Sequence, residues 1–143
     1  MRWRAAATTF AIAGCVGAAK YVIREAVRYA KERHQFGKPI ADFGVIKHKL
    51  ADMYVAIELA RSNAYYGAWA LSKNAPQLPL AAATARVAAN EAFFQAAKEN
   101  IQVHGGMGFT WELDAHLYLK RALALDTTFG SVESAVAVMA DAL

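Results

Sequence analysis

Apolar residues recur along this chain at three- and four-residue intervals, the period of a helix with one buried face. Ile12, Val16, Ala19, Ile23, Ala26 and Ala30 form one such seam and predict a first helix over about residues 5–33. A turn is expected at Gly37-Lys38-Pro39, because proline disfavours helix in the residue before it. Phe43, Ile46, Leu50, Met53, Ile57, Ala60 and Ala64 predict a second helix, with Asp42 as its N-cap. It should end near Lys73-Asn74, with Pro76 and Pro79 in the connection. A third helix should start near Pro79, since proline is tolerated in a first turn. Its expected face is Leu80, Val87, Phe94 and Ile101, with Ala83 and Ala97 beside them. Gly105-Gly106 should stop it in a left-handed cap. A fourth helix is expected from Glu112 or Asp114 to about Thr128, broken by Gly130. A short fifth is expected from Ser131, with Val132, Val136 and Met139 on one face. No segment alternates with a period of two, so no strands are expected. Short connections between long helices imply antiparallel neighbours. The expected fold is all-α: one domain over residues 1–143, an antiparallel four-helix bundle with a short additional C-terminal helix.

Composition sharpens this picture. Hydrophobic residues make up 57% of the chain, with alanine abundant and only 9 Gly and 3 Pro. Alanine is the best helix former, and its small side chain lets helices approach closely. So apolar a chain is expected to bury surface against a partner as well as in its own core. The net charge is +4. Lys20, Arg24, Arg28 and Lys31 read as a solvated helix face rather than a nucleic-acid footprint, which calls for clustered cations and base-stacking aromatics. The single cysteine, Cys15, cannot form an internal disulfide, and a cytoplasmic location is expected.

The amino terminus has two readings. Arg2 and Arg4 precede an uncharged run over residues 5–19, and Ile12-Ala13-Gly14-Cys15 resembles a bacterial lipoprotein cleavage box. The run is too short for an ordinary spanning helix, which needs about 20 residues. The apolar seam, however, passes Cys15 in unbroken register as far as Ala30, so the segment is expected to begin the first core helix.

Candidate chemistry is sparse. His34, His48, His104 and His116 include no pair at metal-ligand spacing, so no metal site is expected. His48 and Asp52 read as polar surface neighbours on one helix. The Gly105-Gly106-Met107-Gly108 cluster comes after a predicted helix, whereas a dinucleotide fingerprint needs a strand before it. Its glycines stop a helix and also leave backbone open to close approach by a ligand.

Two segments carry more information together: residues 29–40, with Arg33-His34-Gln35-Phe36-Gly37, and residues 102–109, with Gln102-Val103-His104-Gly105-Gly106, trailed by Glu112. Between them lie Lys49-Leu50-Ala51-Asp52-Met53 and Glu58-Leu59-Ala60-Arg61. This ordered set, spanning nearly the whole chain, resembles the C-terminal helical domain of the acyl-CoA dehydrogenases. The resemblance implies a bundle at the core of a dimer or tetramer. It also implies FAD, held by another chain or by domains outside this one, and an acyl-CoA substrate. Arg33 would contact the flavin dinucleotide of a neighbouring subunit, with Gln35 and Phe36 beside it, and Gln102, Gly105 and Gly106 would touch it too. A guanidinium fork suits a pyrophosphate, and Phe36 can cover a ring.

The sequence departs from the family pattern in three places. The family base that removes the α-proton is usually a glutamate before a Gly-Thr pair, and Phe129 stands there, with Gly130 and Ser131 after it. Some members carry the base on the first helix, where the matching position is near Ala7, with no carboxylate over residues 5–9. Asp126 lies three residues before Phe129, too far along to take the role without displacement. Gly44 replaces a glutamine that contacts the cofactor in many members. No catalytic residue is therefore expected, and the chain alone is not expected to be active. The expected role is a dehydrogenase subunit or fragment, in a homo- or hetero-oligomer with a flavin-holding dehydrogenase subunit, with no nucleic acid and no membrane span. The alternatives are a helical oligomerisation module without cofactor function, and an exported lipoprotein-like bundle.

Overall fold

The computed structural model describes residues 2–128 and 131–142, with side chains from residue 7 onward. Among them are α1 (Arg2–Glu32), α2 (Gly44–Lys73), α3 (Leu78–His104), α4 (Ala115–Thr127) and α5 (Val132–Ala140). The break assigned to Gly130 and the family base position at Phe129 lie outside the described residues.

Two contacts fix how α1 and α3 run. Cys15 Sγ donates to Asn90 Oδ1 at 3.5 Å, and the Tyr29 ring stacks on His104 with centroids 4.1 Å apart. Both pairs are separated by the same number of residues, so the two helices are parallel and in constant register. On α2, Lys49 Nζ donates to Glu99 at 2.5 Å, while Gly67, near the other end, lies against Ala85. That reversed order makes α2 antiparallel to α3. On α4, Asp126 meets Asn90, and the start of the helix meets His104, so it too runs antiparallel to α3. The bundle is up-down-up-down, with α3 packed on every other helix.

The alanines explain how α3 takes that position. Ala81, Ala85, Ala89, Ala92, Ala96 and Ala97 are buried on several sides of the helix, with Phe93 filling the core. Small side chains let α1, α2 and α4 all close on one axis. The expected α3 seam was therefore misplaced for most of its large residues: Leu80 and Phe94 are exposed and Val87 is half-buried, whereas Ile101 and the neighbouring Ala83 and Ala97 lie in the interior. Seven-residue spacing of large apolar residues picks out a face, but the interior of this helix is written in alanine. The seams of α1 and α2 do face inward: Ile12, Val16, Ala19, Ala26, Ala30, Met53, Ile57 and Ala60 are buried.

Local details also differ from expectation. Lys38-Pro39 is not a turn but the second strand of a small antiparallel hairpin, pairing with His34-Gln35. Its register, His34 with Pro39 and Gln35 with Lys38, is too short to leave a period-two pattern. Phe43, not Asp42, is the N-cap of α2, and Asp42 belongs to a 3-10 turn over Ile40–Asp42. Asn74 ends α2 in the left-handed conformation (φ 51°), which asparagine adopts more readily than other side-chain-bearing residues. Gly105 has φ 60° but ψ −138°, so α3 ends in a glycine-dependent conformation other than a left-handed helical cap. Glu112 precedes α4, and Asp114 stands at its N-cap position. Ser131 caps α5, accepting from the Ser134 N–H at 3.3 Å.

α1 passes through Cys15 without a break, and the thiol is 1% exposed in the core. This is the core-helix arrangement rather than an accessible lipid attachment point. Among the described residues, no single helix is long and apolar enough to cross a membrane.

Candidate cofactor-facing site

Because α1 and α3 are parallel, their C-terminal ends meet at one end of the bundle. The Tyr29–His104 stack joins them there, and His104 is 8% exposed. Its Nδ1 lies 2.8 Å from the Asn100 carbonyl, which can only accept, so Nδ1 carries the proton and donates. Past this stack, both chain segments come out to the surface.

The α1 side continues into the hairpin. Ile40 N–H donates to the Arg33 carbonyl at 2.8 Å and closes its base. Phe36 and Gly37 both have positive φ, 54° and 79°, the requirement of the tight hairpin turn that favours Asn-Gly. A phenylalanine held there is strained by about 1–3 kcal/mol. The reward in monomer packing is slight: the ring is 93% exposed and touches Phe43 edge-on, with centroids 6.2 Å apart. Arg33 and Gln35 are also exposed, and among the described residues Arg33 is in no salt bridge.

The α3 side ends with Gln102, exposed on the last turn, and then the 3-10 turn Gly105–Phe109. A Cβ built on Gly105 or Gly106 would meet nothing within 4 Å, so their backbone is open to a ligand. Gly108 has the opposite role. A Cβ there would fall 2.7 Å from the Ile101 carbonyl, so this glycine locks the turn onto α3. The sequence groups Gly108 with its neighbours, and no local pattern distinguishes a glycine facing solvent from one facing a backbone carbonyl.

All six residues expected at a cofactor therefore sit exposed at one end: Arg33, Gln35 and Phe36 on the hairpin, and Gln102, Gly105 and Gly106 at and after the last turn of α3. They fit a dinucleotide in kind: an exposed guanidinium for phosphate, a projecting ring, a carboxamide and bare backbone.

Two residues that the sequence did not single out organise the other end of α3. Arg86 is 3% exposed, and its Nη2 donates to the carbonyls of Leu125 (2.6 Å), Thr128 (2.7 Å) and Asp126 (3.2 Å). It thus satisfies the carbonyls left open at the end of α4. Asn90 Nδ2 donates to Asp126 Oδ1 at 3.0 Å. Asp126, the carboxylate nearest in sequence before the family base position, is engaged in holding α4 to α3. Ala7 is half-buried and carries no ionisable group. Burial pushes the Cys15 thiol above its ordinary value, against the opposing pull of Arg86 and Arg121. Among the described residues, no three His, Cys, Asp or Glu side chains are placed to hold a metal ion.

Comparison with known proteins agrees with this architecture. Residues 4–143 match the family model for the acyl-CoA dehydrogenase C-terminal domain. The chain is 50% identical over 107 residues to acyl-CoA dehydrogenase IpdE2 of Mycobacterium tuberculosis, covering 75% of this chain and 32% of that protein. Butyryl-CoA dehydrogenase from Megasphaera elsdenii superposes with a TM-score of 0.93 at 30% identity, covering 97% of this chain and 36% of that one. A structure described as an FAD-dependent dehydrogenase superposes with a TM-score of 0.88 at 31% identity, covering 92% and 35%. The chain spans about a third of the length of these relatives. With a family model matched almost end to end and the same bundle in solved dehydrogenases, this chain belongs to the acyl-CoA dehydrogenase family and represents its C-terminal helical domain.

Proposed function

We propose that this chain supplies one wall of an FAD site whose other walls come from another chain or from further domains of an acyl-CoA dehydrogenase. The observation that carries this reading is the shared exposure of the Arg33 hairpin and the Gln102–Gly106 turn at one end of the bundle. The strained, outward Phe36 supports it, because a costly conformation that gains only an edge contact with Phe43 fits a ligand-facing role. Arg33 would hold phosphate oxygens with a charge-assisted fork, Gln35 and Gln102 would supply carboxamides, and Phe36 would shield a ring from water. Gly105 and Gly106 would let the backbone approach the dinucleotide. In an acyl-CoA dehydrogenase, bound FAD accepts the hydride removed from the acyl-CoA thioester. With Phe129 at the family base position, the chain supports that reaction without providing the base. The exposed apolar residues of α2, such as Val55, Leu59, Tyr66 and Trp69, suit burial in an oligomer. The reading places the assembly in the cytoplasm, where a free thiol such as Cys15 persists.

The test is flavin retention. Co-expression with a flavin-bearing dehydrogenase chain should give a yellow complex, and Arg33→Ala should weaken its hold on FAD about ten- to a hundredfold, the range of a lost charged hydrogen bond. Equal retention by Arg33→Ala and the parent complex would leave only the oligomerisation module standing.

A further inference from the structure

The cations of α1 are not a dispersed coat. Lys20, Arg24, Arg28 and Lys31 run along one edge of the helix, and with Arg61 of α2 they rim an open trough of about 620 Å³ between the two helices. Its floor is apolar, made by Ile23, Val27 and Ile57, with Tyr54 on the α2 wall. Glu58 is the carboxylate on the rim and is already paired with Arg61 at 2.6 Å, as Arg28 is with Glu25 at 2.5 Å. Among the described residues, Lys20, Arg24 and Lys31 are in no salt bridge. Five of the chain's 16 Lys and Arg residues thus line one trough beside an apolar floor. α4 fills the angle between α1 and α3, while on the outer side of α1 and α2 the short 3-10 turn Ile40–Asp42 packs against both helices beside the Lys31 end.

We propose that this trough seats an amphipathic helix of the flavin-bearing chain, one that carries carboxylates along its edges. The inference rests on the function proposed for the hairpin and the glycine turn. The rim from Lys20 to Lys31 spans roughly 16 Å, about three helical turns, a length a packed helix can match. Two antiparallel helices offer parallel walls, into which a third helix fits with the small crossing angle of a bundle. The floor requires an apolar stripe on the occupant. The rim requires acidic edges, because covering unpaired cations with apolar surface alone leaves them desolvated and uncompensated. Lys31 lies two residues before Arg33, so a helix seated here would join the protein body that presents its dinucleotide to the hairpin.

The experiment titrates the full chain into a fluorescein-labelled synthetic helix of about four turns, with leucines at three- and four-residue spacing and glutamates beside them. A scrambled peptide of the same composition, free coenzyme A and anionic phosphatidylserine vesicles serve as comparators. The helical peptide should bind at least tenfold more tightly than the scrambled one. Lys20→Glu with Arg24→Glu should weaken it at least tenfold, while Lys98→Glu should not. Equal binding of the scrambled peptide, an unchanged affinity in the double variant, or preferential use of these cations by coenzyme A or vesicles would overturn the proposal. Arg24 is exposed and Lys20 half-buried, and far-ultraviolet circular dichroism verifies the fold. In the assembled complex, the double variant should reduce association without changing flavin per complex formed, whereas Arg33→Ala should do the reverse.

Discussion

Arg86 and Arg33 are the same side chain put to opposite uses. Arg86 is 3% exposed, and one of its nitrogens reaches three carbonyls at the end of α4. Arg33 stands in solvent at the end of α1, paired with no carboxylate among the described residues. A buried cation survives only where the fold surrounds it with acceptors, so Arg86 belongs to stability. An exposed cation costs the fold almost nothing and remains available, so Arg33 suits recognition. The two ends of α3 share this division. Its first half is tied by Arg86 and Asn90 to α4, and its last turn opens into bare glycine backbone.

The sharpest way to break the contrast is to remove each arginine. Arg86→Leu should cost about 3 kcal/mol or more, since several buried carbonyls lose a charged donor. That corresponds to a fall of roughly 10 °C in the melting temperature. Arg33→Ala should leave stability within about 0.5 kcal/mol. Thermal melts monitored by circular dichroism check both, and a small effect at Arg86 would dissolve the distinction.

The glycine turn should show the same split at smaller scale. Gly108→Ala should lose about 1–3 kcal/mol, because its methyl would meet the Ile101 carbonyl at 2.7 Å. Gly106→Ala has open space and should cost clearly less in chemical denaturation, while still impairing flavin retention in the assembled complex. At Phe36, substitution by glycine should relieve the positive φ and change stability by no more than about 1 kcal/mol, in the stabilising direction. Loss of stability on Phe36→Gly would show that the ring serves the fold.

The smallest effect concerns pH. Burial raises the Cys15 pKa in the folded state above its ordinary 9.0. Below that value the thiol is protonated whether or not the chain is folded, and its contribution is intact. As pH rises from about 9 through the folded value, the unfolded chain releases this proton more readily, and stability falls. Urea titrations from pH 8 to 10 should show a steeper decline in the parent than in Cys15→Ala, and identical slopes would remove the thiol from the account.

The sequence by itself determined the helices, their order and the two local segments that stand exposed at one end of the bundle. The seams of α1 and α2 were legible because apolar residues alternate there with charged ones at helical spacing. The Arg-x-Gln-Phe-Gly and Gln-x-x-Gly-Gly segments were legible through their resemblance to the acyl-CoA dehydrogenases, since each motif is local in sequence. Only tertiary structure decided which faces of α3 are interior, since an alanine-rich helix buried on several sides has no single polar face to announce it. It also decided that Arg86, Asn90 and Asp126 meet, although about forty residues separate Arg86 from Asp126. The cations of α1 gained meaning only when α2 was laid beside them: spacing records which residues share a helix face, and packing decides what that face confronts.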